Sequence, residues 1–371
     1  MNILYLTTHL NVGGITSYLL TLAQGFKARG HTVYVASAGG DSAVLFSTQG
    51  VIHIPIPIRT KSELNIFKLG LSAVSLARQL AHRRIDVIHS HTRVTQVLGS
   101  LAQKYIRAPH VTTCHGFFKK RFSRIVLPFW GDKVIAISDQ VKEHLMFDLK
   151  VPERNIRLVY NGINTEFFAK AANINPDERR AMRDEMGLGD GPVIGIIARL
   201  SDVKGHQYLI RAMKAVLERR PDSILLIAGE GPMERRLIEL TRELGIEKNV
   251  LFVPNVIGTA KTLSMIDIYV SPSLNEGLGL SLMEAMAAGV PCIGSDVGGI
   301  RSLIRHGDNG ILVKPADPEG IACAILELLA DPGKSKGYSD KAQLFINRYF
   351  SQAEMLLRTE EVYRECLNTK S

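Results

Sequence analysis

The 371-residue sequence predicts an α/β protein of two domains, each built on a doubly wound parallel sheet. Short apolar runs alternate with amphipathic helical patterns in the first half of the chain, and a second alternating series begins at Pro192. The polar, glycine-containing stretch 169–190 separates the two series. We therefore assign the first domain to residues 1–168, a linker region to 169–190, the second domain to 191–350 and a C-terminal helix to 351–371.

Six apolar runs in the first series have the length and composition of buried strands. They are Asn2–Thr7, Thr32–Ser37, Val51–Ile54, Val87–Ser90, Val111–Thr113 and Lys133–Ile137. Apolar residues recur at helical spacing between these runs. The predicted helices are Ile15–Arg29, Glu63–Arg83, Thr95–Ile106 and Asp139–Asp148. Strands that are joined through helices are expected to run parallel.

The second series repeats this alternation of strands and helices. Its predicted strands are Pro192–Ala198, Ser223–Ala228, Val250–Val253, Ile268–Val270, Pro291–Gly294 and Gly310–Val313. A long helical pattern, Gln352–Leu367, follows, and we expect it to pack back across the hinge. Ligands of open parallel sheets bind beyond the carboxyl ends of the strands, so the loops after the strands should carry the chemistry.

Composition excludes several classes of protein. Hydrophobic residues make up 46% and charged residues 22% of the chain, as in soluble globular proteins. The four cysteines are scattered without a Cys-x-x-Cys pair, which disfavours a zinc site or a disulfide framework and fits a reducing compartment. No basic leader precedes the first strand, and no apolar run approaches the ~20 residues of a membrane span. We expect a cytoplasmic protein, with peripheral attachment to the inner face of the membrane left open.

Positive charge is concentrated in the first half of the chain. Residues 1–165 contain 20 Lys and Arg against 8 Asp and Glu, or +12, whereas residues 166–371 contain 25 against 28, or −3. A basic half of this kind suits an acidic substrate, an anionic lipid surface or nucleic acid. Nucleic acid is the poorer fit, because no recognised nucleic-acid-binding module accompanies the charge.

The segment from Asn275 to Pro291 carries the strongest functional signal. Glu276 and Glu284 flank a Gly-x-Gly turn that leads into a helix. Glycines let backbone N–H groups approach a ligand, and a helix N-terminus attracts anions. Carboxylates would repel a phosphate, so they are better suited to accept hydrogen bonds from hydroxyls beside it. A nucleotide sugar has hydroxyls on both sides of a diphosphate. The alternative is a capped surface helix with two solvated acids.

Arg199 and Lys204 flank a turn at the end of the first strand of the second series, within the sequence Ala-Arg-Leu-Ser-Asp-Val-Lys-Gly. Two cations at the carboxyl end of a strand can hold a diphosphate. The alternative is two exposed charges without a ligand. Glycine-containing loops at 229–231 and 295–299 are expected at the same edge of the sheet.

Gly13 and Gly14 follow the first strand and precede the first helix. Their backbone N–H groups can line an anion site at the helix start, although this signal is weak by itself. The Gly-x-Gly-x-x-Gly pattern of dinucleotide folds is absent, and the second strand ends in Ala36-Ser37-Ala38 without an acidic residue. NAD binding is therefore disfavoured.

Taken together, these motifs resemble the retaining GT-B glycosyltransferases of family 4, the group 1 glycosyltransferases. The motifs that carry the resemblance are Gly13-Gly14, Cys114-His115-Gly116, Asn161-Gly162-Ile163, Arg199 with Lys204-Gly205, Gly229-Glu230-Gly231-Pro232 and the Glu276/Glu284 segment. The resemblance covers nearly the whole chain and keeps the family's motif order. It implies two Rossmann-like domains that face each other across a cleft, and a hexosyltransferase that uses a UDP-, GDP- or ADP-linked sugar.

The resemblance also implies roles for single residues of the second domain. Arg199 and Lys204 would hold the donor diphosphate. Glu276 would bind hydroxyls of the transferred sugar, and Glu284 would bind the nucleotide ribose. The backbone that would contact sugar and phosphate is that of Gly277, Leu278, Gly279 and Leu280.

In the first domain, the resemblance implies that Gly13 and Gly14 close the phosphate site from the opposite side of the cleft. His115 would lie near the sugar, and we count it among the candidate catalytic residues with Glu276, Arg199 and Lys204. From the residues alone, a histidine after an apolar strand, beside Cys114, is more often a hydrogen-bonded core residue.

We expect no essential metal. The chain contains no Asp-x-Asp triplet and no acidic pair with metal-ligand spacing. The charge of a bound diphosphate is then expected to be balanced by cationic side chains and helix dipoles.

A basic segment, Phe117–Trp130, mixes large aromatic residues with the four cations Lys119, Lys120, Arg121 and Arg124. This mixture suits an anionic membrane surface. The helix predicted at Glu63–Arg83 has a wide apolar face and basic residues. Its alternative interpretation is a core helix with a solvated basic rim.

We therefore expect a glycosyltransferase that acts on a lipid-linked or polysaccharide acceptor in the biosynthesis of the cell envelope, lipopolysaccharide or exopolysaccharide. One rival is a nucleotide-sugar 2-epimerase on the same fold, which would act on the donor without an acceptor. Another is a catalytically silent protein that binds nucleotide sugars; it need not keep Arg199, Lys204, Glu276 and Glu284 together.

Overall fold

The computed structural model describes residues 1–11, 13–58, 63, 65–118, 124, 128–172, 174–254 and 258–368. The chain forms two compact units. The first combines Met1–Gly162 with Gln352–Ser371, and the second is Ile163–Ser351. The sequence places the first boundary at residue 168, six residues later than the structure has it.

The first unit is built on a parallel sheet of seven strands in the order β3-β2-β1-β4-β5-β6-β7. These strands are β1 (Asn2–Leu6), β2 (Thr32–Ser37), β3 (Ile52–Pro55), β4 (Val87–Ser90), β5 (His110–Cys114), β6 (Lys133–Ala136) and β7 (Ile156–Leu158). Strand order reverses between β1 and β4, which pair with Tyr5 opposite His89. A crevice at the carboxyl ends of two such strands is the usual ligand site of this fold class.

Helices cover both faces of this sheet. They are Gly14–Ala28, Ala43–Thr48, Ile66–Gln79, Arg93–Ile106, Asp139–Glu143 and Gln352–Asn368, with a π-helical turn at His144–Asp148. Alternation along β1 divides the core between the two faces. Ile3 and Tyr5 pack with the first and last helices, whereas Leu4 and Leu6 pack with Ile66–Gln79 and Arg93–Ile106.

The second unit contains a parallel sheet of six strands in the order β10-β9-β8-β11-β12-β13. They are β8 (Val193–Ile197), β9 (Ile224–Ala228), β10 (Val250–Val253), β11 (Ile268–Ser271), β12 (Cys292–Ser295) and β13 (Ile311–Val313). Its helices are Thr165–Ala172, Pro176–Glu185, His206–Arg219, Glu234–Glu243, Thr259–Ser264, Leu280–Ala287, Ile300–Leu303, Pro318–Ala330 and Pro332–Tyr349. Ile194, Ile196, Val270 and Ile293 belong to its buried core.

All twelve predicted strands occur, with ends that differ by no more than one residue. Strand β7 was not predicted, because it has only three residues and carries Arg157 at its centre. Arg157 donates to both carboxylate oxygens of Glu365 on the last helix. The predicted helix Glu63–Arg83 is shorter in the structure, because Asn65 caps its start by accepting a hydrogen bond from the backbone N–H of Lys68 at 3.2 Å.

The region 169–190, which the sequence predicts as a linker, is instead part of the second unit and contains the helix Pro176–Glu185. Arg179 and Arg183 both donate to the carboxylate of Asp267, at 2.8 and 2.7 Å. Asp267 also accepts a hydrogen bond from the backbone N–H of Val193 at 2.7 Å. The segment looks like a polar linker in the sequence because the ion pairs that attach it to Asp267 leave no apolar pattern.

The C-terminal helix Gln352–Asn368 belongs to the first unit. Met355, Tyr363 and Cys366 are buried in the same cluster as residues of the first helix, and Leu356 packs against Gly25. The last helix thus completes the core of the first unit, although the whole second unit precedes this helix in the sequence. In the part of the chain that the structure describes, no helix has the length and apolar character needed to cross a membrane.

Candidate active site

Glu276 and Lys204 form an ion pair in the second unit. Lys204 Nζ donates to Glu276 Oε2 at 2.5 Å, and the hydroxyl of Ser273 lies 3.4 Å from the same oxygen. Only 15% of the Glu276 side chain and 29% of the Lys204 side chain are exposed. Both charged residues were predicted from the sequence, whereas Ser273 was not.

The pair forms because β8 and β11 are neighbouring strands whose following loops dock on each other. Lys204 ends a short 3₁₀-helix, Asp202–Lys204, and the backbone N–H of Leu274 donates to the carbonyl of Val203 at 2.8 Å. Gly205 has φ +72°, and a Cβ there would lie 2.0 Å from the carbonyl oxygen of Pro272. Only glycine fits this close approach, so the Lys-Gly dipeptide fixes how the two loops meet.

The backbone from Glu276 to Gly277 rests on the loop that follows β12. The N–H of Gly299 donates to the carbonyl of Glu276 at 2.9 Å. A Cβ at Gly298 or Gly299 would lie 2.1 Å from the carbonyl oxygen of Glu276 or Gly277, respectively. The glycines of the loop 295–299 therefore support the candidate site by close packing.

The helix Leu280–Ala287 starts beside this ion pair. Gly279 is its N-cap with φ 97°, and no side chain caps the first N–H groups. Leu278 is 2% exposed, so its side chain anchors the turn in the core. Uncapped N–H groups at a helix start are suited to an anion.

Glu284 lies in the second turn of this helix. Burial raises the pKa of its carboxyl group to about 7. Among the described residues, none donates a hydrogen bond to this carboxylate. A desolvated carboxylate without a protein donor is suited to accept hydrogen bonds from a ligand's hydroxyls.

Arg199 follows β8 and is exposed. In the described ranges, no acidic side chain pairs with its guanidinium. The neighbouring backbone is held by the loop after β9, because the N–H of Leu200 donates to the carbonyl of Glu230 at 3.0 Å. Arg199 thus projects from an ordered loop at the same sheet edge as the ion pair of Lys204 and Glu276.

In the first unit, the helix Gly14–Ala28 begins directly after Gly13, where the backbone is extended with φ 163°. Any residue can adopt that conformation. A Cβ at Gly13 would meet no atom within 4 Å, so protein packing does not require glycine there either. The missing side chain keeps the space at the start of this helix open, and the phosphate contact of Gly13 and Gly14 remains a prediction.

His115 follows β5. Its Nε2 lies 3.2 Å from Nδ1 of His91, and its ring packs edge-on against Tyr18 with 4.8 Å between the centroids. Burial lowers the pKa of His115 to about 3, so the imidazole is neutral. His91 was not predicted as a site residue, although His89 and His91 form a His-x-His pattern at the end of β4 whose members share one face of the strand.

The basic segment Phe117–Trp130 lies mainly outside the described residues, and Lys119, Lys120 and Arg121 are among those not described. Arg124 is described, and it does not present a free cation. Its Nε and Nη2 donate to the two carboxylate oxygens of Glu63 at 2.9 and 3.1 Å. The side chain of Arg124 is 11% exposed. The expectation that Arg124 faces anionic lipid is therefore wrong, because Glu63 binds it inside the domain.

The carboxylate of Glu63 also contacts a second arginine, Arg93. Arg93 Nε lies 3.3 Å from this carboxylate, and the Arg93 side chain is 7% exposed. The guanidinium of Arg93 also lies 5.2 Å from the ring of Trp130, and that of Arg124 lies 5.2 Å from the ring of Phe118.

Within the described ranges, no group of three or more His, Cys, Asp or Glu side chains could hold a metal ion. Metal independence of the reaction remains a prediction.

Comparison with known proteins agrees with the two-unit architecture. Residues 12–167 match the family described as Glycosyltransferase Family 4, and residues 178–345 match Glycosyl transferases group 1. An uncharacterized glycosyltransferase of Methanocaldococcus jannaschii is 31% identical over 95% of this chain and 94% of its own length. N-acetyl-alpha-D-glucosaminyl L-malate synthase of Bacillus anthracis is 28% identical over 98% of this chain and 96% of its own.

Among solved structures, the Anabaena protein HepE in complex with UDP and glucose superposes with a TM-score of 0.85 and 22% identity. The alignment covers 98% of this chain and 99% of HepE. At this level of identity the match shows the fold, which is GT-B. The parallel sheets, the motif order and the relative of 31% identity lead to one assignment: the chain belongs to the group 1, family 4 glycosyltransferases and is a glycosyltransferase enzyme.

Proposed function

We propose that this enzyme transfers a sugar from a nucleoside-diphosphate sugar to a lipid-linked or polysaccharide acceptor, with retention of the anomeric configuration. We place it in cell-envelope, lipopolysaccharide or exopolysaccharide biosynthesis. The observation that carries the donor assignment is the ion pair of Lys204 and Glu276 beside the uncapped helix at Leu280. The UDP and glucose bound to HepE support the same class of donor.

Each polar group at this edge of the sheet matches one part of such a donor. The ammonium of Lys204 and the guanidinium of Arg199 would bind the diphosphate, with the N–H groups from Gly277 to Leu280. The carboxylate of Glu276 would accept hydrogen bonds from sugar hydroxyls. Glu284 has no protein donor among the described residues, and we assign it to the ribose hydroxyls.

In the reaction we propose, the acceptor hydroxyl attacks the anomeric carbon from the face that the diphosphate leaves. The bond from carbon to phosphate oxygen breaks as the new glycosidic bond forms, and the acceptor's proton passes to the departing diphosphate. Arg199 and Lys204 would stabilise the charge that develops on that diphosphate. No enzyme nucleophile is needed for this sequence of steps.

The proposal is tested first with the donor alone. A thermal-shift panel of UDP-, GDP- and ADP-sugars should identify one nucleotide that raises the melting temperature. Ligand binding stabilises the folded state by about 2.7 kcal/mol at a hundredfold excess over Kd. Product analysis of that donor without acceptor then separates transferase from 2-epimerase, because an epimerase would convert the donor by itself. A chain that binds none of these donors would contradict the proposal.

We also propose that the first unit works at an anionic membrane surface. Besides the +12 charge of residues 1–165, the helix Ile66–Gln79 exposes 79% of Phe67 and 60% of Leu71. Lys68 lies next to them and is also exposed. Apolar side chains flanked by cations suit insertion among anionic headgroups.

A soluble acidic acceptor is the second candidate. It is supported by the +12 charge of residues 1–165, which suits an acidic substrate as well as an anionic lipid surface. The relative from Bacillus anthracis is named for a product of L-malate, a dicarboxylic acid. Transfer assays with L-malate and with a lipid-linked sugar, under the same donor conditions, decide between the two acceptors.

A further inference from the structure

Three histidines of the first unit form one cluster, which we call the histidine cluster. His89 and His91 lie at the end of β4 and His115 follows β5, the neighbouring strand. The ring centroids of His89 and His91 are 4.1 Å apart, and those of His91 and His115 are 5.5 Å apart.

At neutral pH, the histidine cluster and the side chains that pack around it are uncharged. Burial raises the pKa values of Tyr5, Tyr18 and Tyr363, which pack on its rings, and raises the pKa of Cys114, beside His115, to about 12. Burial lowers the pKa values of all three imidazoles, and in His89 and His91 the neighbouring histidines lower it further. Each imidazole therefore has one N–H and one unprotonated nitrogen at neutral pH.

His89 is fixed by hydrogen bonds at both ring nitrogens. Nδ1 contacts the hydroxyl of Tyr363 at 2.6 Å, and Nε2 contacts the hydroxyl of Thr113 at 2.7 Å. The ring on which His91 stacks is thus held by the C-terminal helix on one side and by β5 on the other.

The contact between His91 and His115 has two possible proton arrangements. Nδ1 of His91 and Nε2 of His115 are 3.2 Å apart, so one of the two nitrogens must carry the hydrogen. The remaining nitrogen of His91, Nε2, is buried and has no hydrogen-bond partner. If His115 donated, that buried Nε2 would carry an N–H without an acceptor.

Buried N–H groups without an acceptor are the rarer defect, and an unprotonated nitrogen at that position is better tolerated. His91 therefore carries its hydrogen on Nδ1 and donates to Nε2 of His115. The hydrogen of His115 must then be on Nδ1. Among the described residues, none accepts a hydrogen bond from that nitrogen, but His115 is only half-buried and its Nδ1, unlike Nε2 of His91, is not enclosed, so the N–H can reach solvent or a ligand.

We propose that His91 is a positioning residue that holds His115 as the Nδ1–H tautomer, so that Nδ1 of His115 offers a hydrogen-bond donor to a ligand oxygen and no unprotonated nitrogen that could accept a proton. The identity of the ligand rests on the proposed function above. The tautomer rests only on contacts within the first unit.

The tautomer is measured directly by NMR of protein labelled with ¹⁵N-histidine, with His115→Ala to identify the His115 signals. We expect the protonated nitrogen of His115 to be Nδ1. In His91→Leu the donor is lost, and His115 should shift to a mixture that contains the Nε2–H form. His91→Asn places an amide N–H at the position of Nδ1 and should restore the wild-type pattern. An Nε2–H tautomer in the wild-type protein would overturn the proposal.

Kinetics supply the second readout. His91→Leu should lower kcat about tenfold or more with little change in the Kd of free nucleotide, because the nucleotide contacts we propose lie in the second unit, and His91→Asn should recover most of the rate. Between pH 5 and 8, the pH profile of kcat should have the same inflections in the wild type and in His115→Ala. Melting temperature and nucleotide binding show whether each variant is folded. Failure of all nucleotide sugars to bind would reject the proposed function, yet would leave the NMR result intact.

Discussion

Lys204 and Glu276 are 72 residues apart in the sequence, yet their charged groups are 2.5 Å apart in the structure. The ammonium that we assign to the donor diphosphate is thus already bound by the carboxylate that we assign to the sugar. A nucleotide must share or displace this contact when it binds. Arg199 has no such competitor among the described residues.

The two cations should both matter for nucleoside-diphosphate binding. A charge-assisted hydrogen bond contributes roughly 1.5–3 kcal/mol, so Arg199→Ala and Lys204→Ala should each weaken binding about tenfold or more. Isothermal titration calorimetry with UDP and GDP measures the effect. Arg211→Ala and Lys214→Ala, which remove exposed cations from the helix His206–Arg219, are matched controls. Unchanged affinity in both site variants would eliminate the proposed diphosphate contact.

Substitutions of Glu276 and Glu284 should affect the binding of free nucleotide differently. Glu276→Ala should bind free nucleotide at least as tightly as the wild type, because Lys204 loses its competing carboxylate, but should impair binding and turnover of the nucleotide sugar. Glu284→Ala should weaken both ligands, since the ribose is common to them. Calorimetry with each ligand tests this difference. Identical effects of both substitutions on the free nucleotide would show that the sugar and ribose assignments are wrong.

Glu284 should make donor binding depend on pH. Burial raises its pKa from 4.5 to about 7, so the carboxyl group is partly protonated at neutral pH. If the ionised form accepts hydrogen bonds from ribose, affinity for a nucleotide sugar should rise between pH 6 and pH 8. Glu284→Gln should remove this dependence. A nucleotide sugar is the proper probe, because its diphosphate has no titrating group in that range.

The raised pKa of Glu284 should also make the free energy of unfolding depend on pH. A carboxyl group with a raised pKa binds its proton more tightly in the folded state, so the free energy of unfolding should fall as pH rises from about 4.5 to 7 and then level off. The wild type should lose up to about 3 kcal/mol more than Glu284→Gln across that range. Urea unfolding at several pH values measures it, and parallel curves for the two proteins would contradict the shift.

Transfer should not require a divalent metal. The chain has no Asp-x-Asp triplet, and we assign the diphosphate charge to Arg199, Lys204 and backbone N–H groups. Activity should therefore persist in excess EDTA, with at most a modest response to Mg²⁺. An enzyme that loses all activity in chelator and regains it with Mg²⁺ or Mn²⁺ would refute this expectation.

Membrane binding should be confined to the first unit. Phe67→Ser with Leu71→Ser should weaken sedimentation with anionic vesicles, and so should Ser at Lys119, Lys120 and Arg121. Increasing salt should weaken wild-type binding, since each cation near an anionic leaflet contributes about 1 kcal/mol. Leu344→Ser, at a 71% exposed position of the second unit, is the matched control. Equal affinity for neutral and anionic vesicles, or none for either, would favour the soluble acceptor.

Hydrophobic periodicity was enough to predict the sheets, because strands buried on both faces form uninterrupted apolar runs. The same criterion missed β7, whose central Arg157 is paired with a glutamate far along the chain. It also assigned 169–190 to a linker, because Arg179 and Arg183 attach that helix through Asp267. Stability that comes from ion pairs between distant residues leaves no periodic signal in the sequence.

In the candidate site, too, sequence patterns predicted some residues and missed others. Motif spacing selected Lys204 and Glu276, and the structure brings them together. Motif spacing could not reveal that Arg124 is bound by Glu63 or that His91 contacts His115, because both contacts join separate loops. Such contacts depend on which strands are neighbours, which single-sequence patterns do not specify.

The position of the last helix has a consequence for biosynthesis. Tyr363 is completely buried in the first unit, and its hydroxyl contacts His89, although 189 residues of the second unit are translated between the two parts. Domains generally fold as they leave the ribosome, in order of synthesis. Here the first unit to be translated cannot finish its core until the ribosome has made the helix Gln352–Asn368. The second unit is therefore expected to fold first, and the first unit to complete its core only after that helix has been made.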